Sequence, residues 1–223
     1  MKRTPEPDLM DDECQAESYA LADFAEPHNH FVAVFADAFP DFSGEGVTLL
    51  DLGCGTADVT LRFARHYPGC SIDGVDGASA MLAWGQRAIE QAGLASRIRL
   101  IQTRLPHPLP TSVRYGGVLS NSLLHHLEQP LDLWRCIGEY TQAGAPVMVM
   151  DLLRPDSEAA ASALVERYAG TEAERLRQDF FNSLRAAYTI AEVQEQLACT
   201  GLNTLMIRPA SDRHFVVTGR VRG

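Results

Sequence analysis

The sequence predicts an α/β fold: a doubly wound, mainly parallel sheet with helices on both faces. Three observations carry this expectation. From residue 47 to 151, short apolar runs alternate with helical spacing in the order β-α-β-α-β-β-α-β, the pattern of parallel strands joined by crossover helices. The first run ends in a glycine turn, Asp51-Leu-Gly53-Cys-Gly55, and a helical pattern starts at once. Two further apolar runs, 202–208 and 214–220, lie close enough in sequence to be antiparallel neighbours.

The elements follow in order. Residues 1–13 are polar, charged and proline-containing, which predicts a frayed, flexible segment. Residues 14–44 read as an N-terminal helical arm. In it Tyr19, Phe24, Phe31, Val34, Phe35 and Phe39 mark helical spacing from 15 to 39, broken near Pro27. A loop leads into a strand at 47–52, then a helix at 57–66 stopped by Tyr67-Pro68-Gly69. A second strand at 71–75 ends at Asp76. Ser79 is expected to cap a helix that runs to about Gln91 and ends at Gly93. Strands at 98–102, 117–120 and 145–151 and a helix at 131–140 complete a core over 45–151. An insertion over 152–188 reads as wholly helical from 156 to 186. Thr171-Glu-Ala-Glu174 and Thr189-Ile-Ala-Glu192 both have capping-box form. Residues 189–223 then supply a helix ending at Gly201 and the two closing strands.

With 223 residues, the chain can bury a sizeable core, and 46% hydrophobic with 22% charged residues is ordinary for a soluble protein. A net charge of −10 argues against a general affinity for nucleic acid, because phosphate binding needs a basic face. Cys14, Cys54, Cys70, Cys136 and Cys199 are odd in number and show no metal-motif spacing. Neither a disulfide framework nor a metal site is expected, and a reducing, cytoplasmic setting fits. The first 13 residues contain no apolar core of a signal peptide. No run approaches the roughly 18 apolar residues of a membrane span.

Two ligands compete for the glycine turn. A dinucleotide site wants G-x-G-x-x-G, with an acid about 20 positions on. Here the third glycine position is Asp58, an acid in the first helical turn that repels a pyrophosphate. Asp76 can accept from ribose hydroxyls under either reading. S-adenosylmethionine has no phosphate, and its sulfonium and ammonium groups suit Asp51.

VTLLDLGCGTADVTLRFA, IDGVDGASAMLAWGQRA and SNSLLHHLEQP resemble successive motifs of the class I S-adenosylmethionine-dependent methyltransferases, over about residues 46–151 and more loosely the closing strands. The resemblance implies a Rossmann-like, seven-stranded sheet with an antiparallel last strand, S-adenosylmethionine as cofactor, and methyl transfer to a small molecule. It implies that Asp51, Gly53 and Gly55 surround the methionine part and that Asp76 holds the ribose hydroxyls. Gly77 and Met81 would lie by the adenosine, the loop carrying Arg104 and Leu105 would border the adenine, and Asn121 would approach the methyl end. Many relatives carry an acid where this chain has Arg104. In similar enzymes an N-terminal arm closes over the cofactor and contributes a tyrosine, here Tyr19; Asn29 lies in the same arm.

His125 and His126 are candidate bases, because neutral imidazole accepts a proton near pH 7. On a helix, neighbours point about 100° apart, so at most one would face the cofactor. Asn182, with Asp179, Phe180, Phe181 and Arg185, belongs to a candidate lid. Arg154 is expected to pair with an anionic acceptor or with Asp151. Asp212, Arg213 and His214 read as a charged hairpin turn, and Cys54 as a packed small residue. Phe24, Phe31, Phe180, Phe181 and Tyr188 suit a hydrophobic or aromatic acceptor. A protein or RNA methyltransferase, an NAD-dependent oxidoreductase and a cofactor-binding protein without turnover stand as alternatives. The acceptor and the oligomeric state are not legible.

Overall fold

The computed structural model describes residues 1–6, 11–110 and 113–222. Its centre is one seven-stranded sheet. The strands are β1 (Thr48–Leu52), β2 (Ser71–Asp76), β3 (Ile98–Gln102), β4 (Val118–Asn121), β5 (Pro146–Leu152), β6 (Met206–Pro209) and β7 (His214–Arg220). Their order is β3-β2-β1-β4-β5-β7-β6, with β7 antiparallel to both neighbours. β1 pairs in parallel with β2 on one side and β4 on the other. The strand order therefore reverses beside β1, and a crevice opens there beyond the carboxyl ends of the strands.

Helices α1 (Glu13–Leu21), α2 (Ala25–Ala38), α3 (Asp58–His66), α4 (Ser79–Gln91), α5 (Leu131–Tyr140), α6 (Glu158–Ala169), α7 (Glu174–Ala186) and α8 (Ile190–Cys199) surround the sheet. All seven residues of β5 are buried, as a central strand covered on both faces requires. One face of the sheet packs against α5 and α8, where Trp134 Nε1 donates to Gln196 Oε1 at 2.9 Å. On the other face, α2 is pinned to α3 by aromatic rings. Phe35 meets Phe39, Phe42, Phe63 and Tyr67 with centroids 4.8 to 5.9 Å apart. Each such pair contributes about 0.5–1.5 kcal/mol beyond its buried area, so the N-terminal arm is held firmly over the crevice.

The structure corrects several expectations. The break in the arm falls at residues 22–24, not at Pro27. Pro27 sits in the first turn of α2, where a missing N–H costs no helical bond. Ala78 rather than Ser79 caps α4, and the Ser79 hydroxyl turns to Asp11. The insertion is two helices, because Gly170 ends α6 and α7 starts after Ala173 with no side-chain cap. The box at Thr171 thus does not form. The box at Thr189 does, with Glu192, and is worth about 1 kcal/mol. β6 is shorter than predicted and starts at Met206.

The largest departure concerns residues 1–13, expected to fray. Residues 7–10 lie outside the described residues. Residues 1–6, however, are tied to the C-terminal end of α7. Thr4 N donates to Arg185 O at 2.9 Å, and Arg3 Nε donates to Ala186 O at 2.5 Å. Arg3 also stacks over the Tyr188 ring at 4.2 Å and donates to His125 O at 2.9 Å.

Candidate active site

A cavity of about 830 Å³ lies at the carboxyl ends of β1, β2, β4 and β5. Helices α1, α2, α6 and α7 and the β6–β7 turn roof it.

Its floor is the glycine turn. Gly53 has φ +74°, and a Cβ there would sit 2.8 Å from the Leu123 Cβ. Gly55 has φ +51°, and a Cβ there would meet nothing within 4 Å. One glycine is thus imposed by packing under the turn, and the other leaves backbone facing the cavity. Asp76 staples this turn to α4: Oδ2 accepts the Gly55 N–H at 2.9 Å and Oδ1 the Ala78 N–H at 2.8 Å. Two non-glycine residues at the cavity's edge also adopt positive φ, Ala57 at +62° and Ser122 at +58°, a kind of strain that clusters at functional sites.

Asp51 is 2% exposed, and its Oδ2 accepts the Thr60 hydroxyl at 2.5 Å. Burial pushes its carboxyl up to about 6 although the Thr60 bond pulls the other way. Asp58 is different. Burial favours its neutral form, but His28 Nδ1 at 2.6 Å and Arg62 Nε at 2.8 Å hold its carboxyl down at about 2. Asp58 is therefore a paired acid. Its repulsion of a phosphate is partly offset, and the case against a pyrophosphate passes to Asp51 and the rest of the lining.

That lining is acidic. Asp23, Glu26, Asp51, Asp58, Asp76, Glu172 and Asp212 line the cavity, against Arg213 as the one Lys or Arg among the described lining residues. Five of the chain's seven histidines line it too: His28, His30, His125, His126 and His214. Asp151, buried at the end of β5, accepts from His125 Nδ1 at 2.5 Å and from the Leu124 N–H at 2.7 Å. Burial disfavours both charges. Their mutual attraction wins, raising the pKa of His125 and lowering that of Asp151. His125 and His126 sit in a 3₁₀ turn, Leu124–His126, not an α-helix. Both line the cavity, with ring centroids 4.1 Å apart.

Of the residues expected at the cofactor, Tyr19, Asp51, Gly53, Gly55, Asp76, Met81 and Asn121 line the cavity. Gly77, Arg104 and Leu105 do not, and Leu105 packs against the core under α5. Asn182 does not line it either: its Oδ1 accepts from Gln178 one turn back, while its helix neighbour Ser183 faces in. Asp179 holds Gln15 Nε2 at 3.0 Å and so ties α7 to α1. Arg154 pairs with Glu192 at 2.7 Å rather than with Asp151. Of the five aromatic residues expected at the acceptor, Phe24 and Phe180 line the cavity. Phe31 is fully buried in the core, and Phe181 and Tyr188 pack elsewhere. Asp212, Arg213 and His214 belong to the site, since the β6–β7 turn folds onto α6. Arg213 stacks on the Tyr168 ring at 3.4 Å, and the Tyr168 hydroxyl donates to Asp212 at 2.8 Å. Cys54 is buried, which raises its thiol well above the ordinary value and keeps it protonated.

Glu6 was not foreseen. Its Oε1 accepts the Ser183 hydroxyl at 3.0 Å and lies 3.5 Å from His125 Nε2 and 3.3 Å from His126 Nδ1. Nothing in a charged, proline-containing terminal stretch signals such docking.

This architecture is a Rossmann-like doubly wound sheet with an inserted antiparallel strand and a glycine turn at the switch point. Residues 49–146 match the family described as Methyltransferase domain. The chain is 32% identical over 123 residues to the demethylmenaquinone methyltransferase of Chlamydia trachomatis, covering 53% of this chain and 50% of that protein. It is 34% identical over 87 residues to the release factor glutamine methyltransferase of Gloeobacter violaceus, 38% of this chain and 30% of that protein. The matched stretch thus spans half or less of the length of these relatives. Two solved structures share the fold. A putative S-adenosyl-L-methionine-dependent methyltransferase of Methanococcus maripaludis gives a TM-score of 0.71 at 15% identity, over 100% of this chain and 98% of that one. The plantazolicin methyltransferase solved in complex with SAH gives 0.69 at 14%, over 94% and 90%. The domain match over residues 49–146 and the shared sheet topology agree with the methyltransferase resemblance of the glycine-turn motifs.

Proposed function

We propose that this protein transfers a methyl group from S-adenosylmethionine to a small-molecule acceptor within the roofed cavity. The observation that carries the reading is the charge of the lining: seven acids against one arginine around the glycine turn. That set suits a cationic cofactor without phosphate and opposes a pyrophosphate. The roof of α1, α2, α6 and α7 supports a small acceptor over a folded protein or an RNA. Among the similar proteins, two are named for demethylmenaquinone and plantazolicin, which supports this acceptor class, and one is named for a glutamine of a release factor, which supports the protein alternative.

When bound, S-adenosylmethionine supplies a methyl carbon already activated by the sulfonium charge. The chain's task is then to bind, orient and desolvate. Asp51 offers its carboxylate to the cofactor's positive groups, and the Gly53–Gly55 backbone offers N–H groups. Asp76 would turn its remaining lone-pair capacity, beyond its backbone bonds, to the ribose hydroxyls. Tyr19 and Met81, packed together where α1 meets α4, flank the adenosine. Phe24, Tyr168, Leu176 and Phe180 line an apolar stretch for the acceptor. His125 and His126 mark its polar end. The links from α1 to α7 and from α6 to the β6–β7 turn hold the parts of the roof together over the site.

Incubation with isotopically labelled S-adenosylmethionine and a fractionated metabolite pool tests this. Label in a low-molecular-weight product is expected; label only in protein or RNA overturns the acceptor class.

A further inference from the structure

We propose that Glu6, His125 and His126 form a binding site for a divalent transition-metal ion of the zinc class, with an open coordination position facing the cavity.

The geometry is that of a ligand set. Glu6 Oε1 lies 3.5 Å from His125 Nε2 and 3.3 Å from His126 Nδ1. One ligand atom from each residue falls within 4.8 Å of the others. With metal–ligand bonds of about 2.0–2.2 Å, the edges of a tetrahedron are about 3.3–3.5 Å, so the two carboxylate–imidazole separations match two of its edges. Two imidazoles and one carboxylate are a donor set used by catalytic zinc, which keeps a fourth position for water or substrate.

The surroundings agree. His125 Nδ1 faces the Asp151 carboxylate at 2.5 Å, so Nε2 is the nitrogen turned towards the Glu6 oxygen. A carboxylate that fixes the far nitrogen of a ligating histidine is the usual second layer of a metal site. The side chains are 3% (His125), 12% (Glu6) and 13% (His126) exposed, so a cation between these donor atoms, a metal ion or a proton, replaces water as their partner.

Glu6 is delivered by contacts outside the triad. The Arg3 bonds to Ala186 O and His125 O and its stacking on Tyr188 fix the segment before it, and Ser183 holds its carboxylate. The sequence shows no metal motif because the carboxylate comes from a segment remote from the histidines. That departs from the expectation of no metal. His125 and His126 line the cavity, so the open position can take an oxygen of the acceptor. This last use rests on the methyl-transfer reading; the site itself does not.

The test uses the untagged full chain, stripped with chelator and titrated with Co²⁺ alone. One equivalent is expected to bind, with the intense visible bands of a four- or five-coordinate ion, and Zn²⁺ should displace it. Glu6→Gln and His126→Gln, both partly exposed and checked for an unchanged circular dichroism spectrum, should each weaken binding at least tenfold. Binding below a tenth of an equivalent, or unaltered in both variants, overturns the site and leaves a proton-sharing cluster. A parallel titration with S-adenosylmethionine separates the two ideas. Metal uptake without cofactor binding removes the methyl-transfer reading and leaves the metal site standing.

Discussion

His125 Nδ1 stands 2.5 Å from Asp151 Oδ1, and the other oxygen of that carboxylate takes the Leu124 N–H at 2.7 Å. One buried acid therefore sets both the protonation of the His125 ring and the path of the turn that carries it. Asp151→Asn keeps an acceptor for Leu124 but loses the charge that orients the imidazole. Turnover is expected to fall on the order of 10–100-fold, with S-adenosylmethionine affinity changed less than about threefold. Steady-state rates and a cofactor titration on the same preparation check this; a variant with full turnover removes His125 from the site's chemistry.

Asp76 has two tasks that substitution can separate. Its oxygens accept from Gly55 and Ala78, so Asp76→Ala strips the turn as well as the ribose contact. Both stability and cofactor affinity should drop, the former by roughly 1–3 kcal/mol. Asp76→Asn keeps one acceptor and should cost less stability while still weakening cofactor binding. Urea unfolding and calorimetric titration of both variants read the split. Equal affinity in Asp76→Asn and wild type places the ribose elsewhere.

Asp51 predicts the pH dependence. Its carboxyl is raised to about 6 in the free protein, against an ordinary value of 3.8. Between about pH 4 and 6 the folded chain holds a proton that the unfolded chain has lost, so this group's contribution to stability declines as pH rises through that window. A cationic ligand prefers the ionised form. Binding S-adenosylmethionine below pH 6 should therefore release a proton, and affinity should rise with pH and level off above about 6. Titrations in buffers of different ionisation enthalpy measure the proton. Proton uptake, or the same pH profile in Asp51→Asn, contradicts the assignment.

Gly53 combines φ +74° with a Cβ position 2.8 Å from Leu123 Cβ. Gly53→Ala should destabilise by roughly 1–3 kcal/mol. In a Leu123→Gly background, which removes that Cβ, the steric part of the cost should vanish and the backbone part remain. A double-mutant cycle in urea gives the coupling; additive costs mean the Leu123 contact does not constrain the turn.

Much of the fold was legible because periodicity and glycine placement are local. The strands β1 to β5, the helix α5 and the antiparallel close all follow from runs of a few residues. The meeting of Asp51, Gly53, Gly55 and Asp76 at one cavity was legible for the same reason, since each ends or follows a strand. The far side of that cavity was not, because it is assembled from segments that meet only in three dimensions. Glu6 arrives from a segment whose composition reads as frayed, and Arg213 and His214 arrive from a hairpin turn. Asn182 failed for a simpler reason. A helix face is decided to within one residue, and here Ser183 and Phe180 take the inward positions while Asn182 meets Gln178. Asp58 misled in another way: its charge was read without its partners His28 and Arg62.

The central claim is that this acid-lined crevice holds S-adenosylmethionine. Isothermal titration of the full chain with S-adenosylmethionine tests it most directly, with NAD⁺ as the counter-ligand. Saturable one-to-one binding of S-adenosylmethionine, lost or strongly weakened in Asp51→Asn, with no heat from NAD⁺, is the predicted result. No S-adenosylmethionine binding, or tighter binding of NAD⁺, contradicts it.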